Sequence, residues 1–258
     1  MRRSPAVGRL YLMFGCLVLM SCASTAAPGS SAPSPSTSAG SVVASASTTT
    51  DSPPPSGLGS AGSCDGACSA GQHLSVRLQP PLLFTVPDGW FAVGDDPSEY
   101  VLKFGSATTD DGLFIFRDPI AHSQRADCPE AGDPSVGTTP KELTSWIAAL
   151  PGLTATPPTA VTVGGLHGFQ LVVRVAPTWT HACPYSEGQP FVPLIVSGFP
   201  GSDLDWGVGG TGRMRIYVLD AGAGRRLWID VETIAGKDFD QLDARSTPVI
   251  ESFGFSVS

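Results

Sequence analysis

Apolar and polar residues along the 258-residue chain fall into three regimes. Leu10 to Met20 is an apolar run behind Arg2, Arg3 and Arg9. From Ala23 to Ser63, 37 of 41 residues are Ser, Thr, Ala, Pro or Gly, and the exceptions are Val42, Val43, Asp51 and Leu58. Beyond Cys64 the pattern changes to short apolar segments at strand spacing, punctuated by Gly and Pro. Leu82 to Val86 is one such segment and runs into the turn Pro87-Asp88-Gly89 before Trp90. Tyr100 to Phe104 and Leu113 to Arg117 flank Thr109-Asp110-Asp111-Gly112 and predict a hairpin. Ala160 to Val163 pairs across Gly164-Gly165 with the alternating set Phe169, Leu171, Val173 and Val175. Met214, Ile216 and Val218 turn through Gly222 and Gly224 into Leu227, Ile229 and Val231. Asp230 and Glu232 take the opposite face of that last strand, with Trp228 beside them.

Two segments carry helical spacing instead. Thr139-Pro140-Lys141-Glu142 is a capping box with Pro at the first helical position, followed by Leu143, Trp146, Ile147 and Leu150 and stopped by Pro151-Gly152. The second segment starts near Asp238 and puts Phe239, Leu242, Val249, Ile250 and Phe253 on one stripe. Pro248 is expected to kink or break it, because its ring clashes with the carbonyl of Ala244. These elements predict an α+β domain over residues 64–258, an antiparallel sheet packed with helices. The total of 30 Gly and 24 Pro excludes a helical bundle.

A strand ending in Phe84-Thr85-Val86-Pro87-Asp88-Gly89-Trp90 and a terminal helix running into Glu251-Ser252-Phe253-Gly254-Phe255 carry a resemblance. They resemble exported domains of the PsbP/Mog1-like class and, over roughly residues 80–255, a set of actinobacterial-type lipoprotein domains. The resemblance implies an α/β/α sandwich around an antiparallel sheet, used for binding or assembly rather than catalysis.

The cationic start and apolar run have the layout of a secretory signal peptide, too short to span a bilayer as a mature helix. Leu19-Met20-Ser21-Cys22 resembles the bacterial lipobox, which implies a signal peptide of residues 1–21 and diacylglycerol on the sulfur of Cys22. The alternative is an ordinary signal peptide cut between Ala23 and Ala27, with Cys22 discarded. Residues 22–63 cannot bury enough apolar surface to order themselves and predict a disordered spacer, reaching roughly 35 Å on average. Its Ser/Thr density permits O-glycosylation, and a plain tether is the simpler reading. These features predict an exported lipoprotein held on the outer face of the cytoplasmic membrane, with the membrane as a partner through the lipid on Cys22.

Formal charge is −8 for the whole chain and −11 once residues 1–21 are removed. With 15 Lys and Arg against 23 Asp and Glu, no basic patch exists to neutralise several phosphates, and nucleic acid is excluded as a partner. Cys64, Cys68, Cys128 and Cys183 predict two disulfides in an exported domain, with three connectivities open. Cys64–Cys68 as a local loop and Cys128–Cys183 as a long-range staple is the favoured pairing, because Cys128 and Cys183 both stand in Cys-Pro steps inside long loops. A zinc site using His181 and Cys183 lacks a C-x₂-C pair or a second His at ligand spacing, so neither a metal nor a cofactor is expected.

Catalytic signatures are absent. Val196-Ser197-Gly198 is the nearest approach to the hydrolase elbow G-x-S-x-G and lacks its first Gly. Asp203-Leu204-Asp205-Trp206-Gly207 has alternating carboxylates without the Gly and Glu positions of a calcium loop, and predicts an acidic surface loop. Gly207 to Gly212 leads into a strand rather than a helix and predicts a flexible turn, not a phosphate cradle. Three segments, 118–138, 177–190 and 198–212, have little predicted regular structure. They carry His122, Trp179, His181, Tyr185 and Trp206, the candidate residues of a binding surface. The competing role for these rings is to cap the ends of the core. The expected function is therefore a non-catalytic binding or interaction module for another envelope protein or a small ligand. The alternatives are an envelope hydrolase with a triad assembled across loops around His122 or His181, and a structural spacer domain.

Overall fold

A computed structural model describes residues 61–256. The expected signal peptide, Cys22 and the spacer through residue 60 lie outside the described residues. In chain order the strands are β1 (Gly66–Ala67), β2 (Gly71–Ser75), β3 (Leu82–Val86), β4 (Trp90–Asp95), β5 (Glu99–Phe104), β6 (Gly112–Arg117) and β7 (Pro119–Ala121). Helix α1 (Pro140–Ala149) precedes β8 (Leu153–Ala155), β9 (Thr159–Val163), β10 (Leu166–Val175), β11 (Phe191–Ser197), β12 (Asp205–Gly209), β13 (Arg213–Gly222) and β14 (Arg225–Thr233). Helix α2 (Phe239–Glu251) and β15 (Gly254–Phe255) complete the order.

Every residue of β14 after Arg225 is buried, so this strand is covered on both faces. It sits inside an antiparallel sheet ordered β1-β4-β5-β6-β14-β13-β10-β8, with β9 also on β10, nine strands among the described residues. Leu227, Ile229 and Val231 point to one face and pack with Leu102, Ile115 and Leu219 under α2 and β3. Trp228 points to the other and packs with Phe116, Ile216 and Met214 against α1 and β11. Each outer layer is thus a helix with a three-stranded sheet, β15-β3-β2 on the α2 side and β12-β11-β7 on the α1 side. Burying Leu227, Ile229 and Val231 stabilises by roughly 1.5–3 kcal/mol per side chain. A one-residue slip would exchange them for Asp230 and Glu232, which pins the register.

The three predicted hairpins form as β5–β6, β9–β10 and β13–β14. Helix α1 starts on the predicted capping box, with the Thr139 hydroxyl accepting from the Glu142 amide and the Glu142 carboxylate accepting from the Thr139 amide. Helix α2 buries Phe239, Leu242, Val249 and Ile250 as predicted. Pro248, however, neither breaks nor ends α2, which runs on to Glu251. The proline falls in the last turn, where few bonds remain to be lost, and the Ser252 amide still reaches the Pro248 carbonyl at 3.2 Å. Gly62 already pairs with His73, so ordered pairing begins inside the segment expected to be spacer.

Two of the three expected loops are partly strand. Residues 119–121 form β7 and 205–209 form β12, each paired with β11. The Gly-rich turn expected from Gly207 is thereby corrected: Gly207 and Gly209 lie in β12, where a Cβ on Gly207 would meet the Val192 carbonyl of β11 at 2.4 Å. Periodicity missed these strands because neither alternates cleanly, and Gly normally weakens a strand assignment.

Candidate functional site

The segment after β7 doubles back on itself. Ser123 donates to the Ala131 carbonyl and Asp133 to the Ala121 carbonyl, which leaves Cys128 near the tip with φ 44°. Residues 176–190 fold as consecutive turns, with Trp179 bonded to Ala176, Ser186 to Cys183 and Gln189 to Ser186. The Cys128–Cys183 disulfide ties the two segments together, and the Gln124 side chain adds a bond to the Pro193 carbonyl at 2.8 Å. The second disulfide, Cys64–Cys68, closes a local loop whose Cys68 amide bonds Trp90 at 2.8 Å on β4. Both bridges follow the favoured pairing.

His122 leads into the doubled-back segment and is fully buried. Its Nδ1 lies 2.6 Å from the Ser123 carbonyl and its Nε2 lies 3.3 Å from Asp205 Oδ1. The Ser123 carbonyl and the Asp205 carboxylate both favour N–H on the facing nitrogen and so favour the charged form of the ring. Burial alone would lower the His122 pKa, but Asp205, Ser123 and the charge of Glu130 together outweigh it and raise it. Nε2 makes no hydrogen bond and faces Asp205 Oδ1 at ion-pair distance. Tyr185 lies near Asp205, and burial, then that carboxylate, push its phenol pKa up. Asp205 therefore belongs to a charged cluster beside buried His122, not to the acidic surface loop expected from its sequence.

The candidate residues separate into two sets. Trp206 packs on Phe114 and Phe116 with ring centroids 4.7 and 5.1 Å away and covers the central sheet, so it leaves the contact surface. His122 is likewise interior. Trp179 and His181 are half-buried and Tyr185 is exposed, and these three remain at the surface. The Trp179 indole donates to the Phe191 carbonyl at 3.0 Å, and its ring meets His181 edge to face at 5.7 Å. Gly152 makes room for it, since a Cβ there would sit 2.8 Å from Trp179 and 2.7 Å from Val192. Between the segments lies a cavity of about 250 Å³ lined by Gln124, Arg125, Cys128, Pro151, Trp179 and His181, among others.

Chemically the arrangement lacks an activated nucleophile. His122 is fully buried, with Nδ1 on the Ser123 carbonyl and Nε2 facing Asp205, so a substrate does not reach it as a general base in this arrangement. His181 Nε2 stands 3.4 Å from Cys128 Sγ. Cys128, His181 and Cys183 offer ligand atoms within 4.8 Å of one another, yet both sulfurs are consumed in the disulfide and provide no thiolate for a metal. What the face offers is a braced aromatic and polar surface formed by Trp179, His181, Tyr185, Gln124 and Arg125, the last paired with Asp127.

Sequence patterning also missed a buried polar cluster. Asp230 and Glu232 are enclosed on the α1 side, and Lys103 reaches past Gly112, where a Cβ would lie 2.9 Å from its Cδ. The Trp228 indole donates to Asp230 at 2.7 Å, and Lys103 donates to the Asp110 carbonyl at 3.0 Å while its ammonium rests over the Phe114 ring. Burial raises the pKa of Asp230, and burial followed by the Asp230 charge raises that of Glu232. Alternation revealed which face these acids take, but it held no signal that Trp206 of β12 would cover them.

No family model and no curated protein matches the chain. Among solved structures, cyanobacterial PsbP (CyanoP) from Synechocystis sp. PCC 6803 is 17% identical, with 76% of this chain and 98% of that one covered at a TM-score of 0.38. LpqN of Mycobacterium tuberculosis, described as involved in cell envelope biogenesis, is 14% identical, with 73% and 86% covered at 0.35. These are distant similarities to PsbP-like and LpqN-like proteins, and they assign neither a family nor an activity.

Proposed function

We propose that this protein is an exported lipoprotein whose folded domain is a non-catalytic binding module, anchored through Cys22 and spaced from the membrane by residues 22–63. Its contact surface is the face built by Trp179, His181, Tyr185, Gln124 and Arg125, and its partner is another envelope protein or a small ligand. One observation carries this reading. The Cys128–Cys183 bridge holds two irregular segments together around half-exposed aromatic side chains, while the buried histidine nearby is closed to solvent with its Nε2 facing Asp205. A rigid surface with aromatic anchors suits recognition, because little side-chain entropy is left to lose on binding.

Two measurements test it. Cys22→Ser should move the protein from the membrane to the soluble fraction, and unchanged retention would remove the anchor. Crosslinking in cells expressing the wild type should give discrete adducts that are lost in Trp179→Ala/Tyr185→Ala while the circular dichroism of the purified variant stays native. Persistence of the same adducts would remove the face from the reading. Hydrolytic turnover abolished by replacing His122 or His181 would replace the binding module with an enzyme.

A further inference from the structure

Arg226 opens β14 next to Arg225 and projects to the α1 side of the sheet, where only 8% of it remains exposed. Its Nη1 donates to the Thr138 carbonyl at 2.7 Å, just before the α1 N-cap. Its Nε is buried without a partner, and among the described residues no carboxylate lies within ion-pair distance. Asp118 is the acid that acts on it, at longer range, while one Asp118 oxygen accepts from the Arg226 backbone amide and the other from Arg117. A buried guanidinium with a single carbonyl for company is costly, and folded proteins ordinarily supply a counter-charge.

The same guanidinium borders a cavity of about 380 Å³. Thr138, which holds Nη1, is one of its walls, so the charged end of Arg226 is the end that meets the cavity. Ile120, Ala121, Val136 and Leu143 give the lining an apolar part, beside polar groups of Asp133, Gly137 and Thr138. The cavity lies on the other side of the 121–133 turn-back from the Trp179 face and shares no lining residue with it. Asp133 also lines the cavity, with one carboxylate oxygen accepting from the Ser135 amide and hydroxyl, so a bound carboxylate must lie on the Arg226 side.

We propose that this cavity is a binding site for a monocarboxylate bearing a small apolar group, with the carboxylate paired to Arg226 and the apolar part against Ile120, Val136 and Leu143. A guanidinium donates to a carboxylate through its terminal N–H groups, and the ligand supplies the counter-charge that buried Arg226 lacks at close range. The volume falls in the range of small-ligand pockets and holds one branched or aromatic acid or the terminal residue of a peptide. Both sources offer the same chemistry.

The test is titration of the protein with 4-methylpentanoate and with N-acetyl-Ala-Leu, read by amide chemical shifts, against their methyl esters. Saturable shifts at Val136, Gly137 and Thr138 with the acids, and none with the esters, are expected. Tighter binding of the free acid assigns a metabolite-type ligand, and tighter binding of the peptide assigns a carboxyl terminus. Arg226→Met should weaken the acid by roughly 10- to 100-fold, the loss of a charged hydrogen bond. Val136→Phe, which keeps Arg226 and fills the space, should weaken it comparably and guards against misfolding of the first variant. Equal binding of acid and ester, or no saturable shift at those amides with either acid, overturns the proposal.

Discussion

Replacing Cys128 and Cys183 together with alanine should cost about twice the stability lost by replacing Cys64 and Cys68. The cysteines of each pair are separated by 55 and by 4 residues respectively. The loop-entropy relation gives about 14 cal/mol/K for the long closure and about 6 cal/mol/K for the short one. At 25 °C these amount to about 4 and about 2 kcal/mol. For a domain of this size, 1 kcal/mol shifts Tm by roughly 2–4 °C, so expected drops are about 8–16 °C and about 4–8 °C. All four cysteines are similarly buried, between 2 and 6% exposed, so the packing loss on truncation to alanine is comparable and largely cancels in the comparison. Urea and thermal unfolding of both double variants, followed by tryptophan fluorescence and far-UV circular dichroism, gives the two differences. If the short-loop variant loses as much as the long-loop variant, the long bridge is not what holds the 118–138 and 177–190 segments together.

Other outcomes follow from the same contacts. Asp230, Glu232 and His122 all have raised folded pKa values, so each adds stability below its unfolded value that is lost as pH rises through the folded one. Stability from urea unfolding at pH 8.5 is therefore expected below that at pH 5.5, by on the order of 1 kcal/mol, with buried Lys103, whose pKa is lowered, offsetting part of it, and an equal or higher value at pH 8.5 contradicts the buried-acid arrangement. Asp133 and Glu142, whose pKa values are lowered by hydrogen bonds, act in the opposite direction only in the acid range below the ordinary carboxylate values. Gly152→Ala should push Trp179 off Val192, cost about 1–3 kcal/mol, and weaken any crosslink made through that face; a neutral effect in both assays argues against the tight fit. Thr139→Ala should lower stability by about 1 kcal/mol through loss of the α1 cap, measurable as a shift of the urea midpoint.

Local chemistry was legible in the chain. The capping box at Thr139, the Gly164-Gly165 turn and the alternation through Phe169 to Val175 each depend on neighbours a few residues away, and each formed as its spacing predicts. Asp230 and Glu232 show where that reach ends. Their alternation with Ile229 and Val231 assigned the face, but burial of that face depends on Trp206, twenty-four residues earlier in the chain. The candidate set shows the same division: Trp179 and Tyr185 stand where a loop surface needs them, whereas Trp206 and His122 turn inward onto Phe114 and Asp205.

From its sequence alone this protein has a strand-rich α+β character, two helices, cysteines enough for two disulfides and an acidic net charge, because propensity, turn chemistry and charge are properties of short windows. Only the tertiary structure decided that β7 and β12 pair with β11, that buried His122 faces Asp205, and that Arg226 borders a cavity with one side-chain bond made. Those outcomes come from contacts between segments far apart in sequence, where desolvation and available partners set the energy and no local pattern records either.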